Sequence, residues 1–197
     1  MDLETRRQLI HMSGIIFPFY LIWSFHSYGY NFSLLSFITV LILLYAITIA
    51  YKREFGLFII SRIIDCTERS NVINISPVKG ARMFFVGSII SLIIFNSNIE
   101  IVAASIAILA LGDSFSTIFG IRFGNHKLPY NPKKSFEGSF IGFIAASCGA
   151  VFFVPYPIAI GGAFGGMLIE SLPLNIDDNL IISLSASYTM ILLYLVF

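Results

Sequence analysis

The sequence predicts an all-α fold, a polytopic membrane bundle of about seven transmembrane helices with its N terminus in the cytoplasm. Three observations carry this expectation. Of the 197 residues, 57% are apolar and 12% charged, against roughly 45–50% and about 25% in soluble domains, and the mean hydropathy is +0.87. The apolar residues gather into seven runs, Leu9–Phe25, Phe32–Ala50, Ala81–Phe95, Ile99–Phe119, Phe140–Val154, Pro157–Leu172 and Leu180–Phe197. The twelve Lys and Arg residues fall only in alternate connections between those runs.

A membrane-spanning helix needs about 20 residues, so the runs fill the chain as one integral-membrane domain, 1–197, with no room for a separate soluble domain. Lipid offers no hydrogen bonds to bare backbone, so such runs become helices, and the period-two alternation of a barrel is missing. The first run follows Arg6 and Arg7, contains His11 and Trp23, and lacks a small-residue cleavage site; a retained span is expected. Lys52, Arg53, Arg62, Arg69, Lys79 and Arg82 occupy the connection from the second run to the third, and Arg122, Lys127, Lys133 and Lys134 that from the fourth to the fifth. The opposite connections, His26–Asn31, Asn96–Ile99 and Pro155–Tyr156, hold no basic residue. The positive-inside rule then places the N terminus and both basic loops in the cytoplasm, and seven spans put the C terminus on the other side. Phe55–Ile64, at about ten residues, is too short to span. Its Phe55, Phe58, Ile59 and Ile63 set against Glu54, Arg62 and Asp65 predict a helix lying in the cytoplasmic interface.

A net charge of +1 with basic residues confined to membrane-flanking loops gives no support to nucleic-acid binding. Cys66 and Cys148 stand apart from any CxxC or Cys/His cluster, so neither a disulfide nor a zinc site is implied. No internal repeat is visible, which weakens an inverted-repeat transporter reading.

Chemistry concentrates between residues 112 and 139. Asp113 lies in an apolar helix, where an ionised side chain costs roughly 2.5–3.5 kcal/mol on insertion scales. Ser116, Thr117, Gly120 and Gly124 follow it on one helical face. Such a face can hold a hard cation and admit a phosphate to the backbone, or the glycines can form a small-residue packing seam. Lys133, Lys134, Ser135, Glu137, Gly138 and Ser139 stand just before the fifth run. Lys134 can neutralise a phosphate, and Ser135, Gly138 and Ser139 offer hydroxyl and N–H groups at a helix start; the plainer alternative is membrane-anchoring lysines and an N-capping Ser135. The order of a Walker A loop is not met.

Glu170 shares a face with Gly162 and Gly166 near the cytoplasmic end of the sixth run. Asp177, Asp178 and Asn179 open the seventh, either as a helix cap or as part of a ligand set for Mg²⁺ bridging nucleotide phosphates. Arg7 and His11 are four residues apart on one helical face and can meet an anion at the cytoplasmic mouth.

These motifs resemble those of the CTP-dependent lipid-alcohol kinases, a family that includes dolichol kinase, phytol kinase and the fungal CTP-dependent diacylglycerol kinase. Gly112-Asp113, Gly120, Gly124 and Lys134-Ser135-Phe136-Glu137-Gly138 resemble the family's nucleotide-binding stretch. Arg7 to His11 resembles its N-terminal Arg-Lys-x-x-His element, with Gln8 where a lysine is usual, and Glu170-Ser171-Leu172-Pro173 followed by Asp177-Asp178-Asn179 resembles its late acidic element. The resemblance spans nearly the whole chain.

It implies transfer of the γ-phosphate of CTP to an isoprenoid alcohol such as dolichol, another polyprenol, phytol or geranylgeraniol. Lys133 through Ser139 would hold nucleotide phosphates, and Asp113 would serve as Mg²⁺ ligand or as base on the lipid hydroxyl, at the cytoplasmic face. A CTP-dependent diacylglycerol kinase or a phosphatidate cytidylyltransferase-like enzyme are enzyme alternatives, although the Lys-Arg…Lys-Asp signature of the latter is missing. An ion-coupled transporter or flippase relaying protons through Asp113 and Glu170 is the non-enzyme alternative; it expects polar groups along a path across the bundle, whereas here they cluster toward one side.

Overall fold

The computed structural model describes residues 2–53, 55, 58–67, 73 and 76–196. Glu54, Arg69 and Phe197 lie outside them, as do the side chains of Phe58, Ile59 and Ile63, so the amphipathic pattern expected of Phe55–Ile64 lies largely outside the described residues; a helix does occupy Phe58–Thr67.

Helix α1 (Leu3–Met12) passes through one 3₁₀ turn (Ser13–Ile15) into α2 (Ile16–Tyr28). Gly29, at φ 84, supplies the left-handed residue that turns the chain into α3 (Tyr30–Lys52). Ser24 and Ser33, their hydroxyl oxygens 2.8 Å apart, tie α2 to α3. Beyond α4 (Phe58–Thr67) come α5 (Lys79–Ile94), α6 (Ile99–Ile108), a π-helical turn (Leu109–Asp113) and α7 (Ser114–Phe123). The chain closes with α8 (Phe136–Ala150), α9 (Tyr156–Ser171) and α10 (Asp178–Tyr194).

Among the described residues, three continuous helical stretches are long and apolar enough to cross a membrane: Leu3–Tyr28, Tyr30–Lys52 and Ile99–Phe123. Four further helices fall on predicted runs and hold 16, 15, 16 and 17 residues. At 1.5 Å per residue these extend about 22–26 Å, less than the roughly 30 Å of a hydrocarbon core.

The centre of the bundle is α6, buried from Ile101 to Leu109. Ala103, Ala104, Ser105 and Ala107 are small enough for α2, α8, α9 and α10 to approach it closely. A second close seam joins α9 to α10, where Gly161, Gly162 and Gly165 lie against Leu193, Met190 and Thr189.

One feature departs from the all-α expectation. Lys127–Leu128 (β1) and Asn131–Ser135 (β2) pair as an antiparallel hairpin. This polar stretch has no apolar face to bury as a helix, and Pro132 removes a backbone donor, so local strand pairing satisfies the backbone instead. Asn131 Nδ2 donates to the Ser171 carbonyl at 2.9 Å and the Tyr130 hydroxyl lies 3.0 Å from Ser171 Oγ, which fastens the hairpin to the end of α9.

Candidate active site

The anchored hairpin carries Lys134 into a cluster built from four elements. Its ammonium donates a hydrogen bond to Glu170 Oε1 from α9 and lies 3.7 Å from Asp178 Oδ2 on α10. Ser116 on α7 donates to the same Glu170 oxygen at 2.7 Å. Glu170 is fully buried, and its other oxygen, Oε2, has no hydrogen-bond partner. Burial works against a charged Lys134, but the carboxylates of Glu170, Asp113 and Asp178 outweigh it and raise the ammonium's pKa. The lysine is therefore held cationic among three acids.

A second pair stands at the junction of α1 and the π turn. His11 Nε2 is 3.7 Å from Asp113 Oδ2, both side chains are mostly buried, and Nε2 has no hydrogen-bond partner. The π turn ends on Asp113 itself, and such turns occur frequently at functional sites. It also shifts the phase of α7 relative to α6.

Other residues singled out from the sequence are engaged differently. Ser135 Oγ accepts from Gly138 N–H at 3.2 Å as the N-cap of α8. A Cβ on Gly138 would lie 2.6 Å from the Ser116 carbonyl oxygen and 2.8 Å from Gly120 Cα, and one on Gly124 would lie 2.5 Å from Ser135 Oγ. One on Gly112 would meet Met167 Sδ at 2.6 Å. The space beside these glycines is thus filled by neighbouring chain, as in a packing seam. Glu137 turns to His126, accepting from its backbone N–H at 3.1 Å and pairing with Nδ1 at 2.6 Å. That hydrogen bonding holds its carboxyl below the usual carboxylate range. Lys133 is exposed, whereas Ser139 Oγ is buried without a partner.

Arg7 is bound to Glu4 and not to His11. Asp177 caps α10 through Asn179 N–H and pairs with Lys79 at 3.0 Å. Asn179 Nδ2 donates to Asp177, and its Oδ1 is buried without a partner. Gln8, at the position where a lysine is usual, is buried with an unpartnered Oε1.

Among the described residues, no group of three or more His, Cys, Asp or Glu side chains is arranged to hold a metal ion by itself. Mg²⁺ bridged to phosphates uses only one or two carboxylates. The unpartnered Glu170 Oε2 and the Asp178 carboxylate, both belonging to acids beside Lys134, are donors of the kind that smaller requirement calls for. Reasoning from sequence did not foresee His126, Tyr130 or Asn131. The polar composition between residues 125 and 135 was the available signal for a fixed hairpin there.

Comparison with known proteins finds similarity to plant kinases. The chain is 30% identical to a probable chloroplastic phytol kinase 1 of Oryza sativa subsp. japonica over 137 residues, covering 61% of this chain and 43% of that protein. It is 36% identical to a chloroplastic farnesol kinase of Arabidopsis thaliana over 129 residues, covering 57% of this chain and 42% of that protein. Over about 60% of its length the chain is similar to plant phytol and farnesol kinases.

An uncharacterized protein of Rickettsia prowazekii matches the chain nearly end to end, at 32% identity over 93% of the chain and 91% of that protein. The similarity to the plant kinases extends over about 60% of the chain and not nearly all of it, and the chain spans under half of their length. No family model and no solved structure matches.

Proposed function

We propose that the chain is a membrane-embedded kinase that transfers the γ-phosphate of a nucleoside triphosphate, CTP by family resemblance, to the hydroxyl of an isoprenoid alcohol. The observation that carries this reading is Lys134, hydrogen-bonded to Glu170, 3.7 Å from Asp178 and kept cationic by these two acids and Asp113, with Ser116 bonded to the same Glu170 oxygen. Phosphoryl transfer is mostly positioning and charge neutralisation, and this cluster supplies both from rigid elements.

In the proposed reaction the alcohol oxygen bonds to the γ-phosphorus as the bond to the β-phosphate oxygen breaks, and the nucleoside diphosphate leaves. Asp113, beside His11, takes the hydroxyl proton. Lys134 contacts the transferring phosphate, and Ser116 keeps Glu170 oriented toward Lys134. Asp178 and Glu170 Oε2 would hold a divalent cation, Mg²⁺, which would neutralise phosphate charge. The reading includes seven spans with the site at the cytoplasmic face, motivated by the one-sided placement of the basic residues.

Purified protein in detergent, given γ-labelled CTP, ATP, GTP or UTP with farnesol, phytol, geranylgeraniol, a polyprenol or diacylglycerol, tests it. Label is expected in an isoprenoid monophosphate. No transfer from any donor to any alcohol rejects the reading, and transfer to diacylglycerol alone reassigns the acceptor.

A further inference from the structure

A partly open cavity of about 460 Å³ lies between α2, α3 and α5, walled by Phe17, Tyr20, Ser36, Phe37, Val40 and Phe85 and reaching the apolar surface at the exposed Ile16, Phe19 and Trp23. No charged side chain lines it. It falls within the range of small-molecule sites. Taking roughly 30 Å³ per carbon group, the share of volume of a water molecule, it holds a chain of roughly fifteen carbons.

Position links the cavity to the His11–Asp113 pair. Ile16 and Phe17 on its wall lie five and six residues beyond His11 along a nearly continuous helix, about 8–9 Å deeper at helical rise. Phe84 bridges the interval, its ring centroid 5.6 Å from that of His11 and 5.9 Å from that of Phe17, and Phe17 in turn lies 4.8 Å from Phe85. An aromatic path thus runs from the polar pair into the cavity.

We infer that this cavity is the binding site for the distal part of the acceptor alcohol's hydrocarbon tail, with the first isoprene units of a farnesyl or longer chain spanning the interval past Phe84 so that the hydroxyl reaches His11 and Asp113. The inference rests on the kinase reading for the identity of the occupant. The lining excludes a polar ligand, because a hydroxyl or phosphate placed there would lose its hydrogen bonds with water and gain few in return. Headgroup recognition stays outside, at the polar pair.

The test is photolabelling with a farnesol analogue that carries a diazirine at the tail end, without nucleotide, followed by peptide mapping. Label is expected on the segments 16–23 and 36–40 and at Phe85, competed away by unlabelled farnesol. Ser36→Phe combined with Val40→Phe is expected to lower that labelling, and to reduce the preference for farnesol over isopentenol by about tenfold through lost tail burial. Label outside these sites in wild-type protein that phosphorylates farnesol overturns the inference. Competed label within them, in protein that phosphorylates no alcohol, sustains the cavity and rejects the kinase reading instead. The wild-type map stands even where the double variant fails to fold.

Discussion

Lys134 and Glu170 are hydrogen-bonded across 36 positions of sequence, and the acid is fully buried while the lysine retains a fifth of its exposure, 21%. The pair is asymmetric, so its two halves do not respond alike to mutation.

Lys134→Ala leaves the Glu170 carboxylate buried without its cationic partner, and breaking a buried pair in this way costs about 3–5 kcal/mol. Glu170→Gln leaves a lysine with partial access to water and with Asp178 nearby. Denaturation of the detergent-solubilised protein is expected to show the larger loss for Lys134→Ala. The double variant is expected to recover part of that stability, with a measurable coupling energy, while phosphoryl transfer stays lost.

Asp113→Asn keeps the size of the side chain and removes the proton acceptor. Turnover is expected to fall by about 10²–10⁴-fold, with stability changed by about 1 kcal/mol or less. Steady-state kinetics beside a thermal unfolding curve checks both halves. Wild-type turnover in this variant relocates the base.

Gly138→Ala forces a methyl group against the Ser116 carbonyl and Gly120 Cα, both backbone atoms closer than 3 Å. Overpacking of this kind costs typically about 1–3 kcal/mol, and here it also pushes α7 and its Ser116 away from Glu170. Gly80→Ala is the control, since its new Cβ would meet only Asn179 Nδ2 at 3.8 Å. The first variant is expected to unfold earlier and to be less active, the second to resemble wild type.

Glu137 has its carboxyl held below the usual range by its hydrogen bonds to His126. A lowered folded-state pKa contributes stability that is present above the ordinary carboxylate range and is lost as pH falls through the lowered value. Amide protection factors over 127–135 are therefore expected to fall as acidification passes through that window. Glu137→Gln removes this dependence and leaves the hairpin at its acid level of protection throughout.

Several parts of this arrangement were legible before folding. The seven apolar runs all become helix, because an apolar segment in lipid must satisfy its own backbone. The similarity to isoprenoid-alcohol kinases was readable from short motifs around Asp113, Lys134 and Glu170. Less legible was the use of each polar group. Ser135, Gly138 and Glu137 look like a phosphate loop in sequence, yet the serine caps a helix, the glycine permits a helix contact and the glutamate binds His126.

The sequence by itself determined the apolar composition, the order of helices and the residue types available for chemistry, since these follow from local hydrophobicity and from what a backbone in lipid requires. Only the tertiary structure decided which of those residues meet. Ser116 and Glu170 are 54 positions apart, and His11 and Asp113 come from the first and the central helical stretches. Such pairings depend on helix phase, which the π turn at Leu109–Asp113 resets, and on the close approach that the α7–α8 glycines permit. Periodicity in a single segment encodes neither the neighbour nor the rotation at which it packs.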